Sequence, residues 1–453
     1  METKTKTKIK QVVNDGMINK DVFFILTGCF QTISVLMYYL FTEYSDNVSE
    51  IKTNNTLIVE DYFSNTINHY YPFYQDVHAM IFIGFGFLMT FLYKYSYSSV
   101  SYNFLLASMC IQYAILINGF FHNLFTNHWD IIQLNIESLI TGDFAAGAIL
   151  ISFGAVLGKA SLTQLLVMVP IELIFYSINE SIGVIKYMAV DMGGSMYVHT
   201  FGAYFGLSVS YILTNNEKIN KQILNFKATK ESNLFAMIGT IVLWIFWPSF
   251  NGALALGNAQ HRVVINTVLA LTNSCVFAFI TSKLLRGKFE MEDIQNASLA
   301  GGVAIGSSAD LVIGPPFALI IGGFAGIISV SGYKILTPFL YNRFGLHDTC
   351  GVHNLHGLPG ILGGISGTIS AITANENLYG DSITLIFSAR ETRNSYEQGG
   401  YQALALITTL FISIFGGLFT GHLMKLFKSS DNYAKDTDWE EEKEEFIINN
   451  ENV

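Results

Sequence analysis

The sequence is poor in charge. Asp, Glu, Lys and Arg make up 13% of its 453 residues, about half the share of a typical soluble domain, and 51% of the chain is hydrophobic, which excludes an ordinary soluble enzyme. Positive charge is the scarcer sign: 25 Lys and Arg stand against 35 Asp and Glu, a formal net charge of -10. No diffuse positive field is left to hold a nucleic acid. The four cysteines, Cys29, Cys110, Cys275 and Cys350, lie inside apolar stretches, so neither a disulfide framework nor a CxxC metal spacing is present. Nothing in the sequence calls for a cofactor.

What the chain does have is apolar runs long enough to cross a lipid bilayer, which takes about 20 residues each. They fall near 22–42, 74–93, 99–120, 139–157, 161–179, 192–213, 233–252, 259–282, 294–312, 315–332, 349–373 and 402–424. The expected class is therefore an all-α polytopic membrane protein of 12 transmembrane helices, with the membrane domain over 22–426. Twelve spans leave both termini on one side. Lys and Arg favour cytoplasmic loops, and with cytoplasmic termini 20 of the 25 basic residues fall inside, leaving Lys52, Lys186, Arg262, Arg390 and Arg393 outside. One misplaced span would move every later loop to the other side, so this asymmetry supports the whole topology.

Residues 1–21 then form a lysine-rich cytoplasmic tail, followed by a retained first helix and not a cleaved signal. The polar loop 43–73 lies outside and carries two glycosylation sequons, on Asn47 and Asn54. The segment 427–453, with its WEEEKEEF run, reads as an acidic cytoplasmic tail. The membrane itself is the plasma membrane or an endomembrane such as a vacuole. Glycines recur at three- and four-residue spacing in 301–308, 321–332 and 357–367, the pattern that lets membrane helices approach backbone to backbone.

Ionisable side chains inside a membrane are costly and mark function by default. Of ten histidines, His78, His199, His353 and His356 fall within spans, the rest in loops or at span ends. Two segments match: Asp191-Met-Gly-Gly194-Ser-Met-Tyr-Val-His199 and Asp348-Thr-Cys-Gly351-Val-His-Asn-Leu-His356 share Asp-x-x-Gly-x-x-x-x-His. The first opens the sixth span and the second the eleventh, each closing a set of five, with repeats over about 74–213 and 233–373. An odd repeat unit inverts, and inverted repeats place a shared site near the midplane. Eight residues of helix rise about 12 Å, which carries each histidine from the mouth of its span toward the middle of a core about 30 Å thick. His199 and His356 are thus expected to meet as neutral rings, each offering one donor and one acceptor. The aspartates read first as helix caps. Asp76 and His78, at the start of the second span, read as structural, and His353 as lining or packing.

With these residues in view the sequence resembles the Rh glycoprotein branch of the ammonium transporter superfamily, from the first helix to the end of the twelfth. The resemblance is carried by YPFYQDVHAMIFIGFGFLMTFL (71–92), GDFAAGAILISFGAVLGK (142–159), DMGGSMYVHTFGAYFGL (191–207), LFAMIGTIVLWIFWPSFN (234–251), QNASLAGGVAIG (295–306) and DTCGVHNLHGLPGILGG (348–364). It implies a homotrimer with one pore per subunit and an extra N-terminal helix ahead of a five-plus-five inverted repeat and a final helix. It implies that His199 and His356 are the paired pore histidines, that Phe144 and Phe250 are the stacked rings closing the outer end, and that Asp191 and Asp348 are the repeat aspartates. Ammonium or ammonia is the implied substrate, with carbon dioxide as an alternative, and no enzymatic activity is implied. One departure bears on selectivity: after Phe250-Asn251 the chain reads Gly-Ala-Leu, without the serine that bacterial and plant relatives add to an outer cation site. Passive, largely electroneutral passage of ammonia and methylammonia is therefore expected. The rivals are a proton-coupled transporter, for which Asp310 is the acidic candidate, and an intramembrane metalloenzyme, for which two histidines without a third ligand make a poor set.

Overall fold

The computed structural model describes residues 2–45, 48, 67–214, 226–427 and 436, with side chains described from residue 22 onward. Both sequons, on Asn47 and Asn54, lie outside the described residues, as does nearly all of the acidic tail.

Among the described residues twelve long helical rods follow one another: α1 Glu2–Phe41, α2 over 67–91, α3 Ser96–Thr126, α4 Ile136–Val156, α5 Leu162–Lys186, α6 over 195–213, α7 Lys230–Gly252, α8 Asn258–Arg286, α9 over 291–308, α10 Pro315–Phe344, α11 His353–Thr373 and α12 Ser395–Met424. Nine of them are long and apolar enough to cross a membrane, by length and composition, among the described residues. The other three, α2, α6 and α9, are interrupted by π or 3-10 turns or carry more polar side chains. Their apolar requirement is relaxed because they are held inside protein, where lipid does not set the solvation cost. Large apolar side chains on α8 and α12, such as Leu284 and Phe411, are by contrast exposed on the outside of the bundle, as a hydrocarbon solvent demands.

Helix starts follow their sequences. Asn135, Ser161, Thr229 and Asn394 each cap a helix with the side chain accepting from the third backbone N–H in a reciprocal box. Several boundaries differ from the apolar runs. Helix α1 continues through the polar stretch expected as a tail, α2 starts at Ile67 rather than 74, and α11 starts at His353 rather than 349. The last shift has a local cause, the left-handed backbone at Gly351, which cannot be part of a right-handed helix.

The two halves use their helices alike. In the first, α3 packs on α4 and α5, and α4 on α6; in the second, α8 packs on α9 and α10, and α9 on α11. The halves meet where α2 packs on α7 and α6 on α11, while α12 lies against α5, α6 and α11 and α1 against α3 and α5. Glycine sets the closest approach: a Cβ on Gly322 of α10 would overlap the Ala270 carbonyl of α8, so only glycine lets those backbones touch. On one face of the bundle a short strand, β1 Thr42–Tyr44, pairs in parallel with β2 Ile132–Leu134. Lys186, Arg262, Arg390 and Arg393 bond to backbone carbonyls of loops and helix ends at this strand face.

Candidate functional site

The two matched segments fold alike. Asp191 Oδ2 accepts the backbone N–H groups of Met196 at 2.8 Å and Tyr197 at 2.9 Å, and its other oxygen accepts the Ser307 hydroxyl. Asp348 accepts the N–H groups of Val352 at 3.0 Å and His353 at 2.9 Å. Each carboxylate thus satisfies the orphan donors that open a helix. Between cap and helix the chain passes through Gly194 at φ 66° and Gly351 at φ 72°, a conformation that costs an L side chain and not glycine. Each helix then begins with a π turn, Ser195–Thr200 and His353–Gly357, and each turn holds one histidine of the pair.

Those turns bring His199 and His356 together, Nδ1 to Nδ1 at 3.1 Å, with ring planes 11° apart. Both are buried. A contact between two ring nitrogens requires one N–H and one lone pair, so a single proton is shared. Two neutral rings so joined keep one donor and one acceptor at their far nitrogens, and His199 Nε2 is buried with no partner. Among the described residues no group of three His, Cys, Asp or Glu is placed to hold a metal ion.

A run of rings leads to this pair. Phe144 and Phe250 stand 4.8 Å apart between centroids, Phe250 is 5.6 Å from His199, and Phe85 lies 6.1 Å beyond His356. Trp247 is stacked on His199 at 5.6 Å. The two phenylalanines lie against each other, with ring planes that cross at 57°. Phe250 is held at the same time by Trp247 and His199, which fixes its plane independently of Phe144. On the strand side of these rings opens a cavity of about 740 Å³, lined among others by Asn118, His122, Glu180, Asp191, Phe144 and Phe250. On the other side of the histidines a cavity of about 20 Å³ is lined by apolar side chains with His356 and Asn296. That is room for about one water-sized molecule.

Asp348 lies at the opposite face from Asp191, near the buried Lys159, whose Nζ donates to the His347 carbonyl at 2.5 Å and to Ser210 Oγ at 2.6 Å. Burial and the Lys159 charge hold the His347 imidazole down to about 3, so it is neutral at this mouth. His353 packs, with Nε2 3.4 Å from the Tyr204 hydroxyl. Asp310 is buried at the far end of α9 from the small cavity, its carbonyl accepting from Arg262. Trp247, Phe85 and Asn296 were not singled out by sequence reasoning. Phe85 is one of 36 phenylalanines and Trp247 had no polar signal, whereas Asn296 was a polar residue inside a span and could have been flagged.

Comparison with known proteins bears on the family of the chain. The sequence model described as Ammonium Transporter Family matches residues 62–446. The chain is 45% identical over 402 residues to ammonium transporter Rh type B of Danio rerio, covering 87% of this chain and 86% of that one. It is 45% identical over 410 residues to the Mus musculus protein of the same name, covering 89% and 88%. The solved structure of Nitrosomonas europaea Rh50, described as one of the Rhesus protein family of channels, superposes with a TM-score of 0.70 at 32% identity, covering 84% of this chain and 92% of that one.

Proposed function

Because the chain belongs to the ammonium transporter family, in its Rh branch, and is a multi-pass membrane transporter and not an enzyme, we propose that it is a channel for neutral ammonia. The strand-face cavity, with Glu180 and Asp191 at its wall, gathers ammonium. The proton is left there, because a charged ligand faces the desolvation cost of a dry passage, while neutral ammonia needs only hydrogen-bond partners. It passes between Phe144 and Phe250, a constriction that excludes hydrated ions, and exchanges its water bonds for the donor and acceptor of the His199–His356 pair. The cavity beyond, of about 20 Å³, admits it singly. Transport is then passive and electroneutral, with methylammonia as an analogue. Asp191 and Asp348 support this route by fixing the turns that carry the histidines.

The observation that carries the reading is the pair itself: two buried imidazoles, one from each repeat, 3.1 Å apart at the inner end of an aromatic constriction. The basic residues favour a strand face that is extracytoplasmic and termini that are cytoplasmic. Family membership supports a homotrimer with one pore per subunit, and an outside loop 43–73 would make Asn47 and Asn54 available for glycosylation.

Stopped-flow pH measurement on proteoliposomes tests the reading. Under an ammonia gradient, vesicles with the protein should alkalinise faster than empty ones, and His199→Ala combined with His356→Ala should remove most of the difference. A carbon dioxide gradient on the same vesicles reports the alternative substrate. Equal ammonia permeability with and without protein, or a sustained saturable current on adding ammonium under voltage clamp, would refute electroneutral ammonia passage.

A further inference from the structure

Helix α2 reaches both walls of the aromatic constriction. Asp76 accepts a hydrogen bond from Ser249 Oγ at 2.5 Å, and Ser249 directly precedes Phe250 on α7. Two residues on, His78 Nδ1 lies 3.1 and 3.0 Å from the two carboxylate oxygens of Asp143, and Asp143 directly precedes Phe144 on α4. Residues two apart on a helix point about 200° from one another, so one helix turn can bond in opposite directions. Helix α2 packs on both α4 and α7, and Val77, between the two bonding residues, is fully buried.

On the Phe144 wall the bond joins a buried carboxylate to a partly exposed imidazole. Asp143 is fully buried, and a buried carboxylate stays where its partner is, since breaking the pair strands its polar atoms. The His78 ring is itself seated between Tyr74 at 5.1 Å and Phe82 at 4.7 Å. On the other wall, α7 contains Pro248 immediately before Ser249. A proline removes a backbone hydrogen bond within a helix, leaving that turn of α7 more dependent on side-chain anchors.

We infer that Asp76 and His78 are positioning residues for selectivity: each anchors the residue next to one gate ring, and together they set the width of the Phe144–Phe250 constriction. Neither touches the permeating molecule. This inference rests on the channel reading above.

The test compares ammonia, methylamine and ethylamine permeability in proteoliposomes of the full chain. His78→Ala and Asp76→Ala should each raise the ethylamine-to-methylamine ratio by about tenfold, the scale on which a hydrophobic gap discriminates one methylene. The bond-keeping variants His78→Asn, whose amide nitrogen stands in for Nδ1, and Asp76→Asn should stay near wild type. The effects should be specific to a wall: His78→Ala should add nothing in a Phe144→Ala background but act fully in Phe250→Ala, and Asp76→Ala the reverse. Should an alanine variant fail to fold, Ser249→Ala removes the donor to Asp76 alone and is expected to act like Asp76→Ala. Folded variants with an unchanged ratio, or effects that add equally to either gate substitution, would overturn the inference. A wild-type protein that passes no amine would instead defeat the channel reading, so the two failures are distinguishable.

Discussion

Leucine at the histidine pair separates what the two rings do for stability from what they do for passage. In His356→Leu the side-chain volume is roughly kept but the 3.1 Å bond is lost. His199 is then left with a partnerless Nδ1 besides its already partnerless Nε2, in a ring only 1% exposed. A buried polar group deprived of its partner costs about 1–3 kcal/mol, and the single variant should lose that much stability. Adding His199→Leu removes the stranded ring, so the double variant should regain about 1 kcal/mol instead of losing as much again, because replacing both partners by apolar groups approaches neutrality. Passage should move the other way. One lost hydrogen bond to ammonia in a dry lumen raises the barrier by about 1–2 kcal/mol, roughly a 5- to 30-fold slower step, and the double variant should be slower still. Thermal unfolding in detergent and stopped-flow permeability on the same preparations read the two effects. Losses of stability that simply add would mean that the rings stand independently and share no proton.

Three further outcomes are expected. Gly351→Ala forces an L residue to φ 72° and drives its Cβ into the Tyr333 ring, so it should lose about 2–5 kcal/mol; Gly380→Ala, at φ 56° with nothing near the new atom, should lose only about 1–2 kcal/mol, and thermal unfolding compares them. Asp348→Asn keeps one acceptor for the N–H groups of Val352 and His353 and turns an amide donor toward the other, costing about 1.5–3 kcal/mol by the same measurement. Asp310→Asn should leave ammonia permeability unchanged, since Asp310 lines neither the strand-face cavity nor the small one; abolished flux in a folded protein would revive proton coupling.

The matched Asp-x-x-Gly-x-x-x-x-His segments were legible because both of their constraints are local. An aspartate that caps and a glycine at positive φ are each dictated within nine residues, and the structure repeats the same hydrogen bonds in both halves. The helices were legible for a similar reason, since a hydrocarbon solvent accepts only backbones that satisfy their own hydrogen bonds. Their ends were less so. The π turns at Ser195 and His353 depend on how α6 and α11 fit against each other, which no window of sequence contains. Asp76 and His78 show the limit most plainly: they read as structural, and only the packing of α2 between α4 and α7 bonds them to Ser249 and Asp143, the residues that precede Phe250 and Phe144.

Composition and apolar runs alone place this chain in a membrane as a bundle of helices, with two matched polar segments among them. Those are consequences of solvation, where each residue answers to its own surroundings and scarcity of charge is a property of composition. Which side chains meet was decided by tertiary structure alone. His199 and His356 are 157 residues apart and Phe144 and Phe250 more than a hundred, yet they form one continuous run of rings. The tilt of those rings and the small cavity behind them come from close packing, in which a glycine or a carboxylate sets how near two backbones approach.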